Sequence, residues 1–135
     1  MDRRMANLLE QDRLFLEGFG RRWEVIIENS TIWVLIHDFP LPDGYTQKSV
    51  TIAIRMESGY PMAQLDMMYA HPAIARADGK SIPQTETPQA LDGKQFQRWS
   101  RHRSGGNAWV PGEDSLETHV YFIQEGFDAE FAKRP

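Results

Sequence analysis

Apolar and polar positions alternate most clearly between Val50 and Met56, where Val50, Ile52, Ile54 and Met56 share one side and Thr51, Ala53 and Arg55 the other. A period of two predicts a strand buried on one face. Upstream, Trp23, Val25, Ile26 and Ile27 lead into Glu28-Asn29-Ser30 and then Ile32 to Ile36. Two β-branched runs around a turn signal predict a hairpin. Downstream, Leu65, Met67 and Tyr69 repeat the alternation after Ser58-Gly59-Tyr60-Pro61, so four strands follow one another as an antiparallel meander. Between the second and third strands, Phe39-Pro40-Leu41-Pro42-Asp43-Gly44-Tyr45 is too rich in proline and turn formers for a central strand and predicts an ordered loop.

From Ala70 to Trp99 the periodicity fails. Pro72, Gly79, Pro83, Pro88 and Gly93 punctuate the segment, which predicts a long irregular surface crossover. After Gly105-Gly106 and Trp109-Val110-Pro111, the residues Leu116, His119, Val120, Phe122, Ile123 and Phe127 recur at helical spacing, with Asp114 or Ser115 suited to cap the start. Residues 1–20 carry a mixed apolar pattern that predicts a short helix or an irregular arm. The expectation is a single α+β domain over residues 21–135: a four-stranded antiparallel meander packed against a C-terminal helix, preceded by that arm.

Composition narrows the function classes. Fifteen Lys and Arg against 19 Asp and Glu give a net charge of -4, the opposite of what a dominant phosphate-binding surface needs, so nucleic acid is not the expected partner. The apolar runs are too short for a membrane span, and the expected location is the cytoplasm. The 135 residues include no cysteine, which excludes disulfides, thiolate metal sites and cysteine nucleophiles. The four histidines show neither HxH nor HxxxH spacing, so no metal and no cofactor are expected.

A meander, then His71-Pro72, an irregular stretch, Trp109-Val110-Pro111 and an amphipathic helix: this order, with Gly59-Tyr60-Pro61 before the fourth strand, resembles the ubiquitin-conjugating enzyme superfamily. Ile36-His37-Asp38-Phe39-Pro40-Leu41-Pro42 and Trp99-Ser100-Arg101-His102-Arg103 look more closely like the prokaryotic family E of these proteins. The resemblance implies a conjugating-enzyme-like fold. It also implies partners in a bacterial modification system: a ubiquitin-like protein, an activating-enzyme homologue or a JAB-type peptidase. Active relatives hold a nucleophilic cysteine between His-Pro and Trp-x-Pro, and an asparagine after His-Pro that stabilises the oxyanion. Here Ala73 follows Pro72, the interval from His71 to Trp109 is longer than usual, and it contains no thiol.

The densest polar cluster is Trp99-Ser100-Arg101-His102-Arg103, beside Arg98 and not far from Trp109. Ser100, His102 and His71 are the candidate catalytic groups, the first two as an acyl acceptor in place of cysteine. Trp99, Arg101, His102, Arg103 and Trp109 are the candidate binding groups, since arginine forks bind carboxylates and aromatic rings anchor interfaces. Equally, the arginines pin the crossover by pairing with Asp92, Asp114 or Glu117, and His71 orients its loop through a backbone hydrogen bond. The principal expectation is a noncatalytic, conjugating-enzyme-like binding protein. The alternatives are an unconventional enzyme using Ser100 or His102, and a general interaction module.

Overall fold

The computed structural model describes residues 8–135. Helix α1 (Glu10–Phe19) precedes strands β1 (Trp23–Glu28), β2 (Thr31–Pro40), β3 (Ser49–Met56), β4 (Met68–His71), β5 (Pro88–Leu91) and β6 (Lys94–Trp99), and helix α2 (Leu116–Lys133) closes the chain. The residues 1–7 of the expected arm lie outside the described residues; the rest of it is a regular helix ended by Gly20 at φ 87°.

The sheet is antiparallel with order β1-β2-β3-β4-β6-β5, six strands where the sequence pattern predicts four. The two additional strands lie inside the stretch expected to be an irregular crossover. They form a hairpin about Asp92-Gly93, whose φ values of 53° and 74° are the left-handed pair a tight two-residue turn requires. Asn29 and Ser30 do the same for β1 and β2, at 51° and 64°. Two further boundaries move. Strand β2 runs through Phe39-Pro40 after a register shift between Ile36 and Phe39, so the loop begins at Leu41. Strand β4 starts only at Met68, because Met67 adopts φ 59° and breaks the alternation that includes Leu65.

The sheet curls, and both its faces are covered. Val34, Ile36, Ile52, Ile54, Ala70 and Trp99 meet the inner stripe of α2, formed by Leu116, Val120, Ile123 and Phe127. Trp33, Leu35, Ala53, Tyr69, Leu91 and Phe96 gather on the concave side. Two-sided burial explains why β2 reads as a continuous apolar run. The curl is fastened where the Asp92 N–H, at the β5–β6 turn, donates to Glu28 Oε1 at the end of β1, at 3.1 Å.

The loop after β2 is tied beneath the end of α2. Tyr45 Oη donates to the Phe127 carbonyl at 2.7 Å, and Thr46 and Gly44 exchange backbone bonds with Ala75 and Ala77. Gly44 sits at φ 110°, and a Cβ there would lie 2.5 Å from Phe131 Cζ. Gly44→Ala is therefore expected to destabilise the fold by about 2 kcal/mol through backbone strain and the displaced ring, read as a lower urea midpoint with an unchanged slope.

Candidate functional site

Strand register builds the site. Because Met68 pairs with Trp99 in the β4–β6 ladder, the residues just before β4 and just after β6 emerge at the same end of the sheet. There His102 Nε2 lies 3.0 Å from Ser100 Oγ, and His102 Nδ1 lies 2.9 and 3.0 Å from the two Asp66 carboxylate oxygens. Hydroxyl, imidazole and carboxylate thus stand in line. Asp66 carries the arrangement beyond the two candidates of the sequence.

Backbone contacts hold both halves. The Ser100 N–H donates to the Gln84 carbonyl at 3.0 Å. The Met67 N–H donates to Asp66 Oδ1 at 3.1 Å, and the Met67 carbonyl accepts from Nε2 of His119, a fully buried residue of α2, at 2.9 Å. The outer groups stay accessible: the His102 side chain is 53% exposed and that of Asp66 26%.

The neighbouring candidates divide by role. Trp99 is fully buried against Tyr45 and Phe127, so it anchors β6 and presents no contact surface, contrary to its expected place among binding residues. Arg101 stacks on Trp99, donates to the carbonyls of Pro83 and Ser100, and lies 3.7 Å from Glu130. Arg103 pairs with Asp114 at 3.5 Å and lies over the Trp109 and Phe122 rings. Both arginines therefore pin the segment, Arg103 through one of the carboxylates the sequence nominates and Arg101 through Glu130. Trp109 is half-buried and donates through Nε1 to the Pro61 carbonyl at 3.1 Å, and the residues next in sequence to that pair, Met62 and Val110, are exposed.

His71 does not join Ser100 and His102. It sits at the other end of β4, its ring against Phe96 and its Nδ1 3.2 Å from the Gln95 carbonyl. Phe96 and Ser100 are four residues apart, roughly 13 Å along an extended chain. His71 thus makes a backbone contact, at a distance that separates it from Ser100, His102 and Asp66. Ala73, in the place of the asparagine of relatives, accepts a hydrogen bond from Gln47 through its carbonyl.

No group of three or more His, Asp or Glu side chains gathers in a metal-binding arrangement among the described residues. No helix among them is long and apolar enough to cross a membrane. Asp12 of α1 is buried and accepts from Tyr60 Oη at 2.9 Å, while the Leu116 N–H at the start of α2 donates to the same hydroxyl at 2.8 Å. Burial pushes the Asp12 carboxyl above its ordinary range despite the hydrogen bonds that oppose it.

A curled antiparallel sheet with a C-terminal helix laid across one face is an α+β arrangement compatible with the conjugating-enzyme fold. Among known families, prokaryotic E2 family E matches residues 8–130, and the chain belongs to that family. No curated protein and no solved structure matches it.

Proposed function

We propose that this protein is a conjugating-enzyme-like component of a bacterial ubiquitin-like modification system that binds its partner without carrying it as a thioester. The observation behind this reading is the combination of family E membership over residues 8–130 with the absence of cysteine from all 135 residues. Thioester formation needs a thiolate, whereas the surface through which such a fold meets other proteins needs none. The candidate partners are the ubiquitin-like protein, the activating-enzyme homologue and the JAB-type peptidase of such a system.

The proposed contact surface carries His102 and Trp109 with the exposed side chains of Met62 and Val110, which are 67% and 45% accessible. Aromatic and apolar groups of this kind supply most of the energy in protein contacts. Titration calorimetry of the purified chain with each of the three partners should give a micromolar dissociation constant for at least one. Met62→Asp and Val110→Asp, at positions too exposed to disturb folding, should each weaken it about tenfold. Absence of heat with all three partners at several hundred micromolar would sink the reading.

A further inference from the structure

We propose that Ser100 is an acyl acceptor, with His102 as its base and Asp66 as the residue that positions the base. This inference rests on the partner class proposed above and identifies the chemistry at the same surface: the carboxyl-terminal acyl group of a ubiquitin-like protein passes from a thioester to Ser100 as an oxyester.

The geometry assigns each role. A neutral imidazole carries one N–H, and its two tautomers differ in which nitrogen holds it. With both Asp66 oxygens within 3.0 Å of His102 Nδ1, the proton belongs on Nδ1, which leaves the Nε2 lone pair facing the Ser100 hydroxyl at 3.0 Å. A histidine and serine two residues apart on a free loop would not hold this alignment. Here the Ser100 N–H is fixed to Gln84, Arg101 between them is fixed to Pro83, and Asp66 sits just before β4, next to Met67, whose carbonyl His119 holds. His102 also lines a cleft of about 210 Å³ that it shares with Arg101 and with Phe122, Gly126 and Ala129 of α2.

In the transfer, His102 Nε2 takes the Ser100 proton as Oγ bonds to the thioester carbonyl carbon. The tetrahedral adduct then expels sulfur with the carbon–sulfur electron pair, and His102 returns the proton to that thiolate. The products are an oxyester on Ser100 and a free thiol on the donor, with no change of oxidation state.

Two probes test this on the full chain by intact mass and peptide mapping. A fluorophosphonate reports an activated serine irrespective of any partner, and an acetylglycine benzyl thioester reports acyl transfer. Both should modify Ser100 and leave Ser100→Ala unmodified. His102→Ala should slow both reactions about 100-fold. Asp66→Asn should slow them about tenfold, and Asp66→Glu, which keeps a carboxylate, should recover part of that loss, as a merely structural role for Asp66 would not require. Equal melting temperatures among the variants establish that folding is not the cause. Modification no faster than in His102→Ala, or spread over other serines, overturns the proposal. So does a Ser100 that reacts with the phosphonate and not the thioester, since that removes the assigned donor. Calorimetry with Ser100→Ala separates the two readings: partner binding without acylation of the wild type leaves the binding function and discards the serine chemistry.

Discussion

Glu130→Ala is expected to destabilise the protein by about 3 kcal/mol, because it removes the centre of a buried charge network. Glu130 lies at the start of the last turn of α2 with 1% of its surface exposed. Its carboxylate accepts from Arg134 Nη2 at 2.6 Å and Arg76 Nη1 at 3.2 Å, and Arg101 Nη2 stands 3.7 Å away. Burial by itself would raise the carboxyl pKa, but the hydrogen bonds from Arg134 and Arg76 outweigh it and hold the group below its ordinary value. The side chain is therefore ionised in the fold, and its loss leaves the buried Arg76 guanidinium with Asp78, the Arg134 carbonyl and the face of the Phe131 ring. For a chain of this length the change corresponds to a melting temperature about 10 °C lower. Since Arg101 links Glu130 to the segment bearing Ser100 and His102, loss of stability should be accompanied by weaker partner binding. An unchanged melting temperature would show that the network contributes nothing net.

Acid should act on the same neighbourhood through His119. Burial, the largest influence on this residue, lowers its pKa from 6.5 to about 4, against the smaller opposing effect of its bond to Met67. The folded state thus favours the neutral ring. A group that takes its proton at about pH 4 when folded and near 6.5 when unfolded contributes its full stabilisation above pH 6.5 and loses it as the pH falls towards 4. By pH 4.5 the loss is about 2.5 kcal/mol. His119→Gln keeps an N–H donor for Met67 and removes the titration, so the stability advantage of the wild type at pH 7 should shrink by that amount at pH 4.5. Urea denaturation of both chains at the two pH values measures it. Parallel stability losses in the two chains would place the acid sensitivity in the carboxylates instead.

How much of this was legible in the sequence depended on the range of the interaction. The β1–β2 hairpin, β3 and α2 were readable because their signals are local: Asn29-Ser30 at the turn, alternation from Val50 to Met56, and helical spacing from Leu116 to Phe127. The β5–β6 hairpin was obscured because Gln89, Lys94, Gln95, Gln97 and Arg98 give it little apolar character. The available signal was Asp92-Gly93, a strong hairpin turn flanked by Leu91 and Phe96. Ser100 and His102 stood out as a polar cluster, whereas Asp66 lies 36 positions from His102 and joins it only through the β4–β6 register. Nor does local sequence distinguish a buried Trp99 from a half-exposed Trp109, since that difference is made by the packing of α2.

The short strand β4 divides the sheet unequally. It shares three register pairs with β3 and three with β6, against seven between β2 and β3. The ladders on either side of β4 are thus the short ones of the central sheet, where hydrogen exchange should find less protection than between β2 and β3. Asp66 lies on one bank of the β4–β6 ladder and Ser100 and His102 on the other. The Glu28–Asp92 contact, at the far end of β6, closes the curl that keeps the banks together. Parting the two banks would separate Asp66 from Ser100 and His102, so the integrity of this one short ladder and that of the Ser100–His102–Asp66 line go together.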